Sequence, residues 1–316
     1  MEMTVFIPNG QVQARIRGDN GFTAIRYVLA LSLIVTHYAV LTRHEPIWPI
    51  NGDVVVKGFF TITGFLATYS YLRSTNVKEY AWKRFRRIYP PYLVVVLACF
   101  LLGWTVSTLS VSDYFSSAQS YRYLLYNAVF LNFMEPSLPG VFTDNAMTAV
   151  NGSLWFMKVQ VLFYCCTPFI CWLMRRFGRW RTLLVLWLLS MAYIMLCRHF
   201  FDTTDNPLFE ILQHQLIGQL PFFLGGMTML LLFERLQDKL WWVVACGVAV
   251  TVVLLAVSHP WLHLLLEPVA YACLIVGLAF ACRPLALLHH VPDFSYSLYL
   301  VHFPIIQVLI QAGIIG

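Results

Sequence analysis

The recurrence of apolar stretches about 20 residues long constrains this chain more than any other feature. An α-helix needs about 20 such residues to cross a hydrocarbon core roughly 30 Å thick, because each residue adds about 1.5 Å. Nine stretches reach that length, and a tenth, 121–134, is shorter. The nine are 22–42, 54–72, 88–107, 153–174, 182–200, 214–233, 241–258, 262–282 and 294–314. The sequence therefore predicts an all-α, polytopic transmembrane bundle of about ten spans, within a range of nine to eleven.

The composition excludes most other classes of protein. Of the 316 residues, 59% are hydrophobic and 11% are charged, whereas soluble domains have roughly 45–50% apolar and about 25% charged residues. A cytosolic enzyme, a disordered chain and a secreted disulfide scaffold are therefore excluded. We expect one integral-membrane domain over residues 1–316, with no fused soluble domain.

The distribution of charge predicts the orientation in the membrane. Lysine and arginine number 21 against 15 acidic residues, and fifteen of the basic residues fall in five segments that alternate with acidic loops. Cytoplasmic loops carry the excess of positive charge in membrane proteins, so the N-terminus is predicted to be cytoplasmic. If all five basic segments lie on the cytoplasmic side, the stretch 121–134 cannot cross the membrane completely. The number of spans therefore stays open.

The first 21 residues are predicted to be a cytoplasmic segment. Residues 1–20 contain no apolar core of a signal peptide, so we expect the first span to act as its own insertion signal. The eight cysteines lie almost wholly within predicted spans and show no metal-ligand spacing. There we expect them to behave as small apolar residues rather than as metal ligands or disulfides.

Charged and titratable side chains inside apolar spans are functional candidates, because inserting each one costs roughly 2.5–3.5 kcal/mol. Arg26 and His37 lie in the first predicted span, eleven residues apart. That spacing places them on one helix face, separated by about 16 Å along the axis. The alternative is that Arg26 extends to the membrane interface and His37 simply bonds a neighbouring helix.

A basic segment, WKRFRRIYPPY, precedes the third span. A cytoplasmic location of this segment would by itself account for its positive charge. However, Arg84 and Arg87 lie on one helix face if the helix begins before them. Two guanidinium groups on one face suit a phosphate ligand. The prolines Pro90 and Pro91 are expected to restrict entry into the helix.

Two further spans carry polar candidates. Lys158 lies three residues after Trp155, and it either extends to the interface or lines a polar cavity with Gln160. The last span carries a polar stripe that includes Tyr299 and His302, for which helix–helix hydrogen bonding is the ordinary use. Glu267, beside Pro268, is either a relay group or an interfacial residue. Nucleotide-binding glycine loops, GxSxG and HExxH motifs are all missing from the sequence.

Taken together, these segments resemble the integral-membrane acyltransferase-3 family, whose members O-acylate bacterial surface glycans and related acceptors. The resemblance rests on five motifs in the family's order along most of the chain. They are Arg26 with His37; FFTITGF (Phe59 to Phe65), with Thr63 where serine is usual; Arg84, Arg87 and the following IYP; SLW (Ser153 to Trp155) with Phe163 and Tyr164; and SYSLYLVHFP (Ser295 to Pro304). One departure is Gln160, at a position where the family commonly has glutamate.

The resemblance implies transfer of an acyl group, most often acetyl, from cytoplasmic acyl-CoA to a hydroxyl of a surface or lipid-linked sugar. On this reading His37 and Arg26 are catalytic, His37 as general base. Arg26, Arg84 and Arg87 would bind the CoA phosphates. Substrate contacts are expected from Trp155, Lys158, Gln160, Tyr299 and His302.

The predicted location is the bacterial inner membrane, in contact with membrane lipids. We expect acetyl-CoA as donor substrate, no tightly bound cofactor, no metal and no nucleic-acid partner. A small-molecule transporter is the alternative from another class; it predicts inverted repeats, and we see no half-to-half similarity in the sequence.

Overall fold

A computed structural model describes residues 10–18, 20–45, 48–257 and 259–315. Within those ranges the regular structure is helical, apart from an antiparallel bridge between Ser107 and Val141. The α-helices, in chain order, are α1 (Gly10–Arg17), α2 (Phe22–Thr42), α3 (Gly52–Leu72), α4 (Val77–Leu102), α5 (Val111–Ser116), α6 (Ala118–Ala128), α7 (Trp155–Phe177), α8 (Arg179–Thr204), α9 (Pro207–Gln213), α10 (Leu216–Leu236), α11 (Leu240–Ala256), α12 (Pro260–Ala281), α13 (Arg283–Ala286) and α14 (Ser295–Gln311). The predicted all-α class is confirmed.

Each of the nine long apolar stretches overlaps a long helix of the described chain, and the short stretch 121–134 overlaps α6, which has 11 residues. Six helices of the described chain are long and apolar enough to cross a bilayer. A seventh candidate arises if the segments 283–290 and 295–311, bent by 81°, count as one broken span. The polytopic character is thus confirmed, while the total of nine to eleven spans and the cytoplasmic N-terminus stay predictions. Residues 1–9 and 19 of the predicted N-terminal segment lie outside the described residues.

The expectation for Pro90 and Pro91 is wrong. Helix α4 begins at Val77, well before the prolines, and both lie inside it. Proline lacks the backbone N–H of a helical hydrogen bond. Membrane helices nevertheless tolerate it, because neighbouring groups satisfy the carbonyl oxygens that lose a donor. Since α4 starts early, Arg84 and Arg87 do lie one turn apart on a helix.

The described chain divides into two units that interleave along the sequence. The first comprises the described residues of Met1–Arg26, Val56–Ala81 and Val159–Pro292; the second comprises those of Tyr27–Val55, Trp82–Lys158 and Asp293–Gly316. The first unit therefore contains α8 to α13, and the second contains α5, α6 and α14. The single domain over residues 1–316 stays a prediction.

In the first unit, two glycines allow α3 and α10 to pack backbone to backbone. A Cβ at Gly64 would lie 1.9 Å from the carbonyl oxygen of Phe223, and one at Gly226 would lie 2.0 Å from that of Thr61. No side chain fits at either position, which is the usual reason for small residues between membrane helices. Beside this contact the ring of Phe223 stacks on that of Phe163, with centroids 4.5 Å apart.

In the second unit, α2 and α14 share a small apolar cluster. Leu41, Phe303 and Ile306 are buried there, and Ile34 and Ile310 pack against them. Ile34 and Leu41 lie three residues before and four residues after His37, so all three project from one face of α2. The cluster therefore holds the face of α2 that carries His37 against α14.

Candidate active site

Two histidines meet between α2 and α14. His37 Nδ1 lies 2.6 Å from His302 Nε2, although 265 residues separate them in sequence. The ring planes are parallel within 2° and the ring centroids are 4.9 Å apart, so the rings meet edge to edge through their nitrogens rather than face to face. His302 is buried and His37 is half-buried.

The backbone of α14 fixes the protonation pattern of this pair. His302 Nδ1 lies 2.8 Å from the Tyr299 carbonyl oxygen and 3.2 Å from that of Leu298. Carbonyl oxygens only accept hydrogen bonds, so Nδ1 of His302 carries the proton and its Nε2 carries a lone pair. His37 Nδ1–H must then donate to His302, which leaves the lone pair of His37 on Nε2. That nitrogen carries the one lone pair of the neutral pair that is not used between the two rings.

The surroundings of the histidine pair are largely apolar. The ring of Phe303 meets that of His37 edge-on, with centroids 5.3 Å apart and planes at 78°. Ile34 and Leu41 lie one turn to either side of His37 on the same face. A low dielectric strengthens the hydrogen bond between the two rings.

A loop that runs into α7 is fastened to α14 around His302. Asn151 Nδ2 donates to the Leu300 carbonyl over 2.8 Å, and the Tyr299 hydroxyl donates to the Ser153 carbonyl. One turn and a half further on, the Gln307 amide donates to two carbonyls of the same loop, at 2.6 and 2.9 Å. All these side chains are buried, so α14 is held in one rotational setting and His302 with it.

The start of α14 is joined to α4 through Arg87. Arg87 Nη2 lies 3.3 Å from Asp293 Oδ2, while Asp293 Oδ1 accepts from the Ser295 backbone N–H and hydroxyl at 3.3 and 2.5 Å. Tyr296 adds a hydrogen bond from its hydroxyl to the Ile88 carbonyl, at 3.0 Å. Arg87 therefore links the predicted donor segment to the helix that carries His302.

The other two predicted arginines lie on helices that also carry site residues. Arg26 is in the second turn of α2, where Nη2 donates to the Thr23 hydroxyl over 3.3 Å. Because α2 is continuous from Phe22 to Thr42, Arg26 and His37 are separated by about 16 Å along one axis. Arg84 is half-buried on α4, one turn before Arg87.

Trp155 and Lys158 lie in the first turn of α7. Lys158 Nζ is 4.4 Å from the ring centroid of Phe133, a cation–π contact. The Trp155 ring meets that of Phe156 edge-on, with centroids 6.5 Å apart. The structure thus places this charge against an aromatic ring of the loop before α7. The two alternatives for Lys158, the membrane interface and a polar cavity with Gln160, stay predictions.

Gln160 forms a closed pair with Thr63 of α3. Its amide nitrogen lies 2.8 Å from the Thr63 hydroxyl, and its amide oxygen lies 3.2 Å from the same hydroxyl. The hydroxyl is also 2.8 Å from the Phe59 carbonyl. Both residues are buried. The two positions at which this chain departs from the expected motifs thus bond to each other.

Comparison with known proteins agrees with the motifs. The sequence model of the acyltransferase-3 family, described as "Acyltransferase domain", matches residues 19–316. The chain belongs to the acyltransferase-3 family. The resemblance inferred from the five motifs is therefore confirmed, and this acyltransferase-3 protein is a membrane acyltransferase.

Two relatives of this acyltransferase are informative. An "O-acetyl transferase" of Shigella phage Sf6 is 31% identical over 155 residues, which cover 47% of this chain and 45% of the phage protein. "Nodulation protein 10" of Rhizobium leguminosarum bv. viciae is 26% identical over 329 aligned positions, covering 94% of this chain and 85% of that protein. The chain thus matches slightly less than half of the phage protein. No solved structure matches it.

Sequence reasoning missed several residues that shape this acyltransferase. Asp293 lies outside the apolar stretches, so a search for charges inside spans does not find it. Asn151 and Gln307 act through backbone carbonyls, for which the sequence carries no motif. Lys57 does lie inside a predicted span, and its Nζ is 2.8 Å from Glu267 Oε1. Its charge was the signal that should have identified it.

Proposed function

We propose that this acyltransferase-3 protein transfers an acetyl group from acetyl-CoA to a hydroxyl of a surface or lipid-linked sugar, with His37 as the general base. The observation that carries the proposal is the hydrogen bond from His37 to His302. It fixes the His37 ring and leaves the lone pair on Nε2, the type of atom that acts as a general base toward a hydroxyl.

The proton and electron movements balance without a cofactor. His37 Nε2 takes the proton of the acceptor hydroxyl while the oxygen attacks the thioester carbonyl. The carbon–sulfur bond then breaks, and the CoA sulfur leaves with the proton that His37 had accepted. During the step the His37 imidazolium keeps its Nδ1–H on the His302 lone pair, which stabilises the positive charge much as the carboxylate does in a Ser-His-Asp triad.

The arginines are assigned to the polyanionic end of the donor. Guanidinium groups bind phosphate in a bidentate way, and Arg84 and Arg87 lie one turn apart on α4. Asp293 is a carboxylate partner of Arg87, so donor phosphates and Asp293 would be alternative acceptors for that guanidinium. Arg26 lies about 16 Å from His37 along α2, a span that the long arm of CoA can bridge to its thioester.

The relatives support an oxygen acceptor, and the predicted topology supports the location. One relative is named an O-acetyl transferase, which supports transfer of an acetyl group to oxygen. The basic segments predict that this protein lies in the bacterial inner membrane and that its donor-binding side faces the cytoplasm. In this arrangement the protein accepts the acyl group on one face and presents it toward the other.

The test is loss of an acetyl substituent from surface glycans. The gene is deleted in its native host and complemented with wild type or with His37→Ala, and the glycans are analysed by mass spectrometry. We expect wild type to restore the acetyl mass and His37→Ala to restore none, at equal amounts of protein in the membrane. Acetylation by His37→Ala near the wild-type level would contradict the role of His37. Unchanged glycans in the deletion strain would contradict the acceptor class.

A further inference from the structure

A long apolar groove lies in the first unit, among α8, α10, α11 and α12. Its volume is about 590 Å³, within the roughly 300–1,000 Å³ of ligand sites. On α10 its lining runs from Pro221 to Leu236, about 22 Å along the helix axis. That length exceeds one leaflet of the hydrocarbon core, about 15 Å, so a complete lipid tail fits along it.

The floor of the groove is formed where α10 and α12 come close together. A Cβ at Gly225 would lie 3.2 Å from the Cβ of Ala272 and 3.1 Å from the Pro268 carbonyl oxygen. The large side chains of α8 and α11 form the walls. The concave shape is thus built from small residues below and bulky residues at the sides.

The groove has one polar end. Apart from Thr228 and Lys239, the lining side chains are apolar, glycine or cysteine. Lys239 immediately precedes α11, and Trp180 and Trp242 lie in the first turns of α8 and α11. Indole rings and a lysine together mark the level of lipid headgroups. Lys239 forms no ion pair within the described part of the chain, whereas its neighbour Asp238 lies 3.8 Å from Arg15.

We propose that the groove is a binding site for an anionic phospholipid, whose acyl tail lies along α10 and whose phosphate binds Lys239. The apolar lining recognises the tail, and the single ammonium at the open end recognises the charge of the headgroup. Lys239 belongs to a predicted cytoplasmic segment, so the lipid is one of the inner leaflet, where anionic headgroups are common. The proposal does not depend on the acyl-transfer mechanism.

The test measures quenching of tryptophan fluorescence by brominated lipids. The full chain is reconstituted in phosphatidylcholine bilayers that contain a small fraction of phosphatidylglycerol with a dibrominated tail, or the same fraction of dibrominated phosphatidylcholine. Trp187, a half-buried lining residue, is the reporter. Its emission is the difference between wild type and Trp187→Phe.

We expect brominated phosphatidylglycerol to quench Trp187 at about fivefold lower mole fraction than brominated phosphatidylcholine, the preference that about 1 kcal/mol per lysine gives. Lys239→Ala should abolish the difference between the headgroups, and Lys239→Arg should keep it. Lys78→Ala, which removes an exposed lysine of another basic segment, is the matched control and should also keep it. Cys246→Phe, which fills the groove from α11, should reduce quenching by both lipids.

Equal quenching by the two lipids would overturn the proposal, because it would show an apolar surface that does not distinguish headgroups. A headgroup preference that survives Lys239→Ala would overturn the role of Lys239 and with it the site. If neither lipid quenches Trp187, the groove is covered by protein, including a second copy of this chain, and the proposal also fails. Circular dichroism of the same samples verifies that each variant is folded.

Discussion

Two buried polar pairs differ in how completely their hydrogen-bonding capacity is used. In the pair of Gln160 and Thr63, the amide nitrogen donates to the Thr63 hydroxyl, and the single proton of that hydroxyl is shared between the Phe59 carbonyl and the amide oxygen. We call such a pair closed, because both partners bond within the protein. The pair of His37 and His302 uses three of its four ring nitrogens, and within the described residues the lone pair of His37 Nε2 accepts no hydrogen bond.

This difference distinguishes a structural pair from a chemical one. Both pairs place polar atoms among apolar helices, where an unsatisfied group is costly. A closed pair offsets that cost and offers nothing to a ligand. The ion pair between Lys57 and Glu267 is a second closed pair, since Lys57 also lies over the Phe222 ring, 5.2 Å from its centroid. We therefore expect catalysis to respond to the histidines and stability to respond to the other pairs.

The largest effect is expected on turnover, from substitution of His302. His302→Phe removes the acceptor for His37 Nδ1–H, so His37 loses its fixed tautomer. We expect kcat to fall by about 10³-fold with KM little changed. His302→Gln retains an acceptor and should recover much of kcat. Steady-state kinetics and the pH profile of both variants check this; a KM effect without a kcat effect would instead indicate substrate binding.

The next effect is on stability and comes from Lys57. Lys57→Met leaves Glu267 as an unpaired charge among apolar helices, and we expect a loss of about 3 kcal/mol in the free energy of unfolding. The double variant with Glu267→Leu should recover most of it. Unfolding in detergent measures both. If turnover of the folded protein fell while its stability stayed unchanged, Lys57 and Glu267 would take part in catalysis rather than only in stability.

A smaller effect is expected on donor binding. Arg87→Ala should raise the KM for acetyl-CoA about tenfold, the equivalent of about 1.4 kcal/mol for one charge-assisted contact. Arg86→Ala is the matched control, because Arg86 is a neighbour on α4 that lies over the Trp82 ring. Steady-state kinetics with varied donor concentration separates them. Equal effects of both substitutions would indicate general electrostatic attraction rather than a phosphate clamp.

The smallest effect is expected at the closed neutral pair. Gln160→Leu with Thr63→Val removes both partners together, and we expect a coupling free energy of about 0.6 kcal/mol from the double-mutant cycle, typical of hydrogen bonds between membrane helices. Turnover should stay within a few-fold of wild type. A large loss of turnover would show that Gln160 takes part in the chemistry, and the contrast between the two classes of pair would fail.

The sequence predicted the helices well, because length and apolarity determine a membrane span. Its boundaries were less accurate at α4, where Pro90 and Pro91 suggested a late start and the helix begins at Val77. Proline weakens a helix in water, whereas in a bundle of apolar helices the backbone has few alternatives to remaining helical. The apolar stretch therefore identified α4 correctly, whereas the prolines gave the wrong first residue.

The candidate site was predicted in part. Arg26 and His37 stand out because charge inside a span is rare, and His302 stands out in a polar stripe of α14. Their pairing depends on how α2 and α14 pack, which no local pattern encodes. The roles assigned to the site residues stay predictions until the variants are measured. Asp293 was missed for a related reason, since its importance comes from a partner 206 residues away.

The separation of 265 residues between His37 and His302 has a consequence for biosynthesis. At about 5–20 residues per second, roughly 13–53 s pass between synthesis of the first histidine and synthesis of the second. Until α14 is made, His37 has no partner to set its tautomer. In a ribosome-bound chain that has inserted α2 and not yet α14, the ring of His37 therefore lacks the hydrogen bond that orients it. If His37 is the base that we propose, activity begins only after α14 has been inserted.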